Sequence, residues 1–255
     1  QIKENLRAMG IRSCDTVLIH TSLKAVGEVE NGADGFIDAF CEYLKDGLFL
    51  VPTHTWDGVN AENPHYDVKT SIPCIGTVPR IAAFRPDGIR SLHPTHSMWA
   101  HGRDAEAFVK GEENAQSPAP VGGCWDRLAD VGAKILLIGV EHNRNTFIHS
   151  VDERMALPDR LGAPYLVTIV DHHGHSITHP MRPHSCSRTN DVSRFYVNFE
   201  KPFTELGAQK LGKLGNASVR ILDACKCREI VSRIYARSES DIFTEYRDFP
   251  ETLYK

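Results

Sequence analysis

The sequence predicts an α/β fold, with a mixed, largely parallel central sheet flanked by helices and a smaller α+β C-terminal region. Short, uniformly apolar segments alternate with helix-like segments in the first part of the chain, which is typical of a covered sheet with parallel pairs. From Pro164 onward, polar and apolar residues alternate instead. We therefore expect a single domain over residues 1–255, which can be subdivided into an α/β part at 1–162 and an α+β part at 163–255.

The first part contains three compact apolar strands and the helices between them. Gly10 ends the first helix as a C-terminal glycine signal, and Phe36, Phe40 and Leu44 repeat at helical spacing. The expected elements are a helix at 2–9, a strand at 16–20, a helix at 35–45, a strand at 48–52, a helix at 125–130 and a strand at 134–140.

The second part begins with a hairpin signal. Residues 165–170 and 174–178 alternate around 171–174, which predicts two antiparallel strands joined by a turn. Residues 203–211 and 219–234 are predicted to be helices.

Composition and charge exclude several classes of protein. The chain carries 29 Lys and Arg against 33 Asp and Glu, and 41% of its residues are hydrophobic. These values exclude a disordered chain and argue against nucleic acid or an anionic membrane as a partner. The seven scattered cysteines and an N-terminus without a signal-peptide pattern favour the cytoplasm. The sequence leaves open whether the chain forms a homodimer.

Polar residues follow three of the apolar strands directly. His20-Thr21-Ser22-Leu23 follows the first strand, Thr53-His54-Thr55-Trp56 follows the second, and residues 141–149 follow the third. Sites in open α/β sheets gather at the carboxyl ends of strands. Each segment alone is explained by capping and turn formation, but the three together predict a shared site.

The most informative of these segments contains His149 and Glu153. Asn145 or Thr146 can cap a helix there, and residues four apart lie on one helix face. A carboxylate next to an imidazole fixes its tautomer and stabilises its charged form. The pair therefore predicts that His149 is a general base assisted by Glu153. Asp152 is the weaker partner, because it points about 100° away from Glu153 on the helical wheel.

A zinc site is the alternative interpretation of the histidines. His54, His93 and His96 could form a zinc-dependent hydrolase, but HExxH and other recognised ligand spacings are absent, so we expect no metal. A nucleophile elbow, a GxGxxG motif and a P-loop are also missing. The histidines from His172 to His184 are expected on an exposed hairpin, with His184 a weak site candidate.

Taken in order, several short motifs resemble the aminoglycoside 3-N-acetyltransferase family. The ordered set covers roughly residues 6–235. Its members are His20-Thr21-Ser22-Leu23 with Val26-Gly27, Val51-Pro52-Thr53, Arg90 with His93-Pro94, Ser97 and Gly102, Ser117-Pro118, Trp125-Asp126-Arg127-Leu128, Leu137-x-Gly139-Val140, Asn145-Thr146-x-x-His149-x-x-x-Glu153, and Gly212-x-x-Gly215-Asn216-Ala217.

The resemblance implies an antibiotic N-acetyltransferase-like fold and acetyl transfer from acetyl-CoA to the 3-amino group of a 2-deoxystreptamine aminoglycoside. It implies that His149, helped by Glu153, takes the proton of the attacking amine. It also implies that the early loop and the His93–Ser97 segment hold the pantetheine and thioester. The implied acetyl-CoA contacts are His20, Thr21, Ser22, Leu23, Val26, Gly27, Arg90, His93 and Ser97.

A polycationic acceptor requires acidic walls, for which Asp57, Glu62 and Asp152 are the first candidates. Asp67, Asp171 and Asp191 are further ones. Two alternatives remain open. The chain could acylate another small amine, or it could bind both ligands without catalysis.

Overall fold

The structure, a computed structural model, describes residues 1–238 and 245–255. In this described part of the chain, ten strands form two sheets. The strands are β1 (Thr16–Thr21), β2 (Leu48–Pro52), β3 (His65–Asp67), β4 (Ile89–Arg90), β5 (Met98–Gly102), β6 (Lys134–Ile138), β7 (Tyr165–Val170), β8 (Ser176–Met181), β9 (Gln209–Leu214) and β10 (Ala217–Asp223).

Helices lie between most of these strands. The α-helices are α1 (Ile2–Ala8), α2 (Leu23–Val26), α3 (Gly32–Tyr43), α4 (Thr77–Ala82), α5 (Ala105–Val109), α6 (Cys124–Asp130), α7 (Phe147–Arg154), α8 (Glu200–Glu205), α9 (Ala224–Arg237) and α10 (Glu251–Tyr254). Short 3-10 helices cover Glu112–Asn114, His142–Arg144 and Val192–Phe199.

The large sheet has seven strands in the order β4-β5-β2-β1-β6-β10-β9. Strand β1 runs parallel to both β2 and β6, whereas β5, β4, β10 and β9 add to the two sides in antiparallel pairs. The predicted mixed α/β fold is confirmed. Within this sheet, parallel pairing is confined to the three central strands, since the outer strands come from hairpins rather than from helical crossovers.

Both faces of this sheet are covered, which explains why its central strands are uniformly apolar. Leu18 and Leu50 point into the cluster that contains residues of α6, α7 and α9. Their neighbours Val17, Ile19 and Phe49 point into the opposite cluster, built with α1, α3 and α4. Successive side chains of a strand point to opposite faces of the sheet, so one apolar strand contributes to the cores on both faces.

The smaller sheet has the order β3-β7-β8. Strands β7 and β8 form the predicted hairpin, and β3 pairs in parallel with β7. Tyr66, Val167, Ile169 and Met181 form a small core of their own beneath it.

The prediction for the C-terminal part was wrong in two places. Residues 219–234 are not one helix, because β10 extends to Asp223 before α9 begins at Ala224; Asp223 caps α9 by accepting a hydrogen bond from the Lys226 N–H. Residues 209–211 belong to β9 rather than to a helix. Val219 and Leu222 are buried beside exposed residues of the strand β10. The turn that joins β9 to β10 contains Gly215 at φ 57°, a left-handed conformation that favours glycine.

The expected subdivision at 162/163 does not separate two structural units. Strand β10 pairs with β6 inside the large sheet, and β3 from the first part pairs with β7 from the second. All seven cysteines are free thiols, and none of the described helices is both long and apolar enough to cross a bilayer.

Candidate active site

A cavity of about 910 Å³ opens where the three parallel strands end. Its walls include residues after β1, after β2 and after β6, so the structure brings together the three polar segments that follow these strands. The principal polar residues of the wall are His20, Thr21, Ser22, Lys24, His54, Thr95, His96, Asn143, Arg144, Thr146, His149, His184, Asn190, Asp191 and Ser193.

His149 lies in the first turns of α7 and contributes to this wall. Its side chain is 11% exposed. The ring nitrogen Nδ1 lies 2.7 Å from the Tyr196 hydroxyl oxygen and 3.5 Å from Asp152 Oδ2. The imidazole is thus held from behind and lies at the surface of the cavity, not in an apolar interior.

Asp152 is the buried carboxylate of this arrangement. Both Tyr196 and Tyr235 donate hydrogen bonds to it, and Arg160 Nε lies 4.0 Å from Oδ2. Burial alone would raise the pKa of Asp152, but the hydrogen bonds with His149, Tyr196 and Tyr235 and the charge of His149 more than offset this, so the pKa is below its usual value. Asp152 is therefore ionised at neutral pH.

The hydrogen bonds assign a tautomer to His149. The single hydroxyl proton of Tyr196 is donated to Asp152, so the Tyr196 oxygen accepts the proton of His149 Nδ1. In the neutral imidazole the lone pair is then on Nε2. This is the protonation pattern that a general base requires.

The predicted pairing of His149 with Glu153 was wrong. Glu153 accepts hydrogen bonds from the Ser117 hydroxyl and, at 2.8 Å, from the Ala119 N–H. These groups hold its carboxylate, whereas Nδ1 of His149 contacts Asp152, three residues along the helix.

His184 was predicted to lie on an exposed hairpin, but it lies in the cavity wall. Its ring stacks on His149, with centroids 3.9 Å apart and an interplanar angle of 29°. Nε2 of His184 lies 3.8 Å from Glu153 Oε1. Pairing of Leu161 with His184 carries this segment back to the cavity, and no local sequence signal predicts that long-range contact.

Tyr196 and Tyr235 were also missed. They lie in the 3-10 helix Val192–Phe199 and in α9, respectively. They are 44 and 83 residues from Asp152 in sequence, so only the fold shows that they belong to the site.

Three further histidines of the wall are held neutral. Burial is the main reason that the pKa of His20 is lowered to about 3 and that the pKa values of His54 and His96 lie well below the usual range. Nε2 of His20 and Nε2 of His54 are buried without a hydrogen-bond partner among the described residues. Since buried polar atoms in proteins are nearly always paired, these two atoms are suited to contact a bound molecule.

The contacts of His93 contradict the zinc alternative built on His54, His93 and His96. His93 Nδ1 accepts hydrogen bonds from the backbone N–H groups of Thr95 and His96. Nε2 must therefore carry the proton, which it donates to the Ser117 carbonyl oxygen at 2.9 Å. Neither nitrogen of His93 retains a lone pair for a metal.

The residues expected to contact acetyl-CoA divide into two groups. His20, Thr21, Ser22 and Leu23 line the cavity. The others lie outside its wall in the described part of the chain: Val26, Gly27, Arg90, His93 and Ser97.

Each residue of the second group has a structural reason for its place. Val26 packs into the core, and a Cβ on Gly27 would lie 2.7 Å from Asn216 Nδ2. Arg90 is 2% exposed and donates to the carbonyl oxygens of Thr53, Val68 and Ser71, and Ser97 donates to Thr53 as well. Arg90 and Ser97 therefore support the backbone beside the cavity and do not line its wall.

The acidic candidates are also dispersed. Asp191 lies in the cavity wall, whereas Asp57 and Glu62 are exposed on the loop after β2, next to the wall residues Trp56 and Asn60. Asp152 is 1% exposed and lies behind His149, so its assignment to substrate binding was wrong. Asp67 is in the small sheet and Asp171 is at its hairpin turn.

The buried neutral histidines predict a stability that depends on pH. The unfolded chain titrates its histidines near pH 6.5, above the lowered pKa values of the folded state, so the unfolded state binds more protons between them. The free energy of unfolding is therefore largest above about pH 6.5 and decreases as the pH falls, by about 1.4 kcal/mol per pH unit for each fully buried histidine.

Urea unfolding from pH 7.5 to pH 5 measures this slope. His20→Asn should reduce it by about 1.4 kcal/mol per pH unit, the contribution of one bound proton. His175→Asn is the matched control, since its side chain is 77% exposed. A stability that is flat over this range would contradict the burial of neutral imidazoles in the wall.

The chain was compared with known proteins. The model of the family described as aminoglycoside 3-N-acetyltransferase matches residues 18–236. Aminoglycoside N(3)-acetyltransferase III of Serratia marcescens is 25% identical over 254 residues, covering 91% of this chain and 93% of that protein. Aminoglycoside N(3)-acetyltransferase VIII of Streptomyces fradiae is 25% identical over 249 residues, covering 88% of this chain and 86% of that protein.

Solved structures show the same fold. A mutant of aminoglycoside acetyltransferase AAC(3)-IVa in complex with gentamicin aligns with a TM-score of 0.78 and 23% identity, covering 93% of this chain and 87% of that one. A binary complex of AAC-IIIb with CoASH aligns with a TM-score of 0.75 and 20% identity, covering 91% of this chain and 93% of that one.

Proposed function

Because the chain belongs to the aminoglycoside 3-N-acetyltransferase family, we propose that it transfers an acetyl group from acetyl-CoA to the 3-amino group of 2-deoxystreptamine aminoglycosides. The observation that carries this proposal is His149 in the cavity wall, with Nδ1 held by Tyr196 and Asp152. The reaction neutralises one cationic amine of the antibiotic, and inactivation of the drug is the physiological role that we propose.

Two relatives support the choice of ligands. The AAC(3)-IVa mutant was solved with gentamicin, and AAC-IIIb was solved with CoASH. Both align with more than nine-tenths of this chain. We transfer the two ligands to this cavity as part of the proposal.

His149 supplies the base in this mechanism. An aminoglycoside amine is mostly an ammonium ion at pH 7 and has no lone pair with which to attack. Nε2 of His149 accepts its proton, and the amine then attacks the thioester carbonyl held beside it. As the tetrahedral intermediate collapses, the imidazolium returns this proton to the leaving CoA thiolate. The neutral imidazole then takes the second surplus proton of the new amide nitrogen and releases it to solvent, so that a neutral amide and the CoA thiol remain.

Asp152 and Tyr196 act through His149. Together they fix the Nδ1–H tautomer, and the ionised Asp152 stabilises the positive charge that His149 acquires. The 3.5 Å between Nδ1 and Oδ2 is long for a hydrogen bond, and the Tyr196 hydroxyl bridges the gap. Glu153 is a positioning residue for the loop at 117–119 rather than the partner of the base.

We place acetyl-CoA along the wall formed by residues 20–24. Nε2 of His20 and Nε2 of His54 are the buried polar atoms that a pantetheine amide or the thioester could satisfy. Lys24 and Arg144 are exposed cationic residues of the same wall, and they suit the phosphates of CoA.

Double replacement Lys24→Ala and Arg144→Ala should raise KM for acetyl-CoA roughly tenfold, the effect of losing about 1.4 kcal/mol of charge-assisted binding. The kcat should change little, because neither residue contacts the reacting atoms. Steady-state kinetics at two salt concentrations measure both effects. Lys110→Ala, in a different groove, is the control, and an unchanged KM for acetyl-CoA would place the phosphates elsewhere.

The acceptor is the less constrained substrate. Among described residues, Asp191 is the only carboxylate in the cavity wall, and Asp57 and Glu62 lie on the loop that contributes Trp56 and Asn60 to that wall. These three acids are our candidates for binding the ammonium groups of the aminoglycoside.

A thiol-release assay with acetyl-CoA and a panel of aminoglycosides and simpler amines tests the function. Release that is fastest with 2-deoxystreptamine aminoglycosides supports the proposal. Release only with other small amines would keep the acyl transfer and change the acceptor. Binding of both ligands without release would indicate a non-catalytic binding protein.

A further inference from the structure

We propose that Cys41, Asp87 and His101 form a structural binding site for a divalent transition metal, with Zn²⁺ as the best chemical match. A thiol, a carboxylate and an imidazole converge here from three separate parts of the fold. One ligand atom of each residue lies within 4.8 Å of the other two. The site is independent of the cavity and of the proposed acetyl transfer.

The three residues come from elements that pack against one another. Cys41 lies in the last turns of α3, Asp87 precedes β4, and His101 lies in β5. Cys41 is 8% exposed, whereas Asp87 is exposed and His101 is half-buried. The soft ligand is thus at the base of the site and the other two are at its entrance.

The hydrogen bond of His101 leaves one ring nitrogen available to bind a metal. Its Nδ1 lies 2.6 Å from the Asp87 carbonyl oxygen, which can only accept, so Nδ1 carries the proton and Nε2 carries the lone pair. Its ring stacks on Trp99 with an interplanar angle of 17°. Histidines that bind metals commonly donate their other ring N–H to a carbonyl in this way.

The surrounding charge favours a cation. Arg85 contacts three carboxylates, with Nη1 3.0 Å from Asp34, Nη2 2.6 Å from Asp38 and Nη2 2.7 Å from Asp87. One guanidinium balances one of these three negative charges. Both oxygens of Asp87 accept hydrogen bonds from Arg85, Oδ1 from Nε at 3.0 Å and Oδ2 from Nη2 at 2.7 Å, and each oxygen retains a second lone pair that a metal can share.

An entry path is present. Asp87 and His101 line an open groove of about 720 Å³, together with Asp104 and Glu106. An ion can reach the entrance ligands from solvent and then contact the thiol beneath them. Three protein ligands of the Cys, His and Asp types, with a water as the fourth, suit tetrahedral Zn²⁺. Binding releases the Cys41 proton to solvent.

The position of the site indicates a structural role. His101 pairs with Phe49 near the beginning of β2, whereas the cavity opens beyond the end of this strand. The metal would therefore join α3, the turn before β4 and β5 at the opposite edge of the sheet. We expect it to raise the stability of the fold by binding the native state and to leave acetyl transfer unchanged.

Titration of the chelator-treated full chain with Co²⁺ and then Zn²⁺ tests the site. We expect one equivalent of Co²⁺ to bind with a thiolate-to-cobalt charge-transfer band, Zn²⁺ to displace it, and Zn²⁺ to raise the unfolding temperature. Cys41→Ser should abolish the band, and Cys225→Ser, at an exposed cysteine, should retain it.

His101→Gln is the second variant, since its half-buried position tolerates the change if Cys41→Ser fails to fold. It should lose the band and the rise in unfolding temperature while keeping normal activity. Absence of a band in the unmodified chain, or a band that survives in Cys41→Ser or His101→Gln, would overturn the proposal. A band that survives in either variant would show that other residues bind the metal.

Discussion

Replacing His149 with alanine should lower kcat for acetyl transfer by a factor on the order of 10² to 10⁴, the range for loss of a general base. Without the imidazole, the amine would have to lose its proton to solvent. The aminoglycoside and acetyl-CoA would still bind in the cavity. We therefore expect KM for both substrates to change only a few-fold. Thiol-release kinetics with saturating acetyl-CoA measure the loss.

His175→Ala is the matched control for this variant, because His175 is an exposed histidine at the β7–β8 hairpin. It should leave kcat unchanged. Thermal unfolding of both variants verifies that they are folded. Near-normal turnover of folded His149→Ala would remove His149 from the role of base.

Asp152→Asn should lower kcat by a factor on the order of 10² or more, by analogy with the loss of the buried aspartate in a Ser-His-Asp triad. An amide cannot stabilise the imidazolium, and its NH₂ group competes for the hydroxyl oxygen of Tyr196. Glu153→Gln should have a clearly smaller effect, because Glu153 bonds to Ser117 and Ala119 instead. Parallel kinetics of the two variants measure the order.

The split between kcat and KM separates positioning from mere loss of structure. Asp152→Asn should lower kcat and leave KM for both substrates within a few-fold, because Asp152 is buried behind His149, and Glu153→Gln should change kcat less and KM equally little. Tyr196→Phe should fall between the two in kcat. A larger effect of Glu153→Gln than of Asp152→Asn would show that Glu153, and not Asp152, is the partner of His149.

The positions of the cavity and of His149 could be predicted from local patterns. The apolar segments at 16–20, 48–52 and 134–140 end in polar residues, and the rule that sites lie at the carboxyl ends of parallel strands was sufficient to group them. His149 follows because its helix starts directly after one of these strands.

The partner of His149 could not be predicted in the same way. Both Asp152 and Glu153 lie within one helical turn of it, and spacing slightly favours the residue at i+4. The choice is made by groups far away in sequence. The hydroxyls of Tyr196 and Tyr235 hold Asp152, while Ser117 and Ala119 hold Glu153.

A motif also does not distinguish a contact residue from a supporting one. Arg90 and Ser97 are polar residues in a family-like segment, yet their hydrogen bonds hold the Thr53 backbone from below the cavity. Likewise, residues 219–234 contain enough helix-forming positions to resemble one helix, but pairing of β10 with β6 in the middle of the sheet outweighs that local preference.

The product of the reaction tests the central claim most directly. The chain is incubated with acetyl-CoA and a 2-deoxystreptamine aminoglycoside, and the product is examined by mass spectrometry and NMR, with His149→Ala in parallel. We predict one added acetyl group, attached to the 3-amino nitrogen, and essentially none with the variant. An unmodified drug, acetylation at another amine, or equal product from His149→Ala would contradict the account.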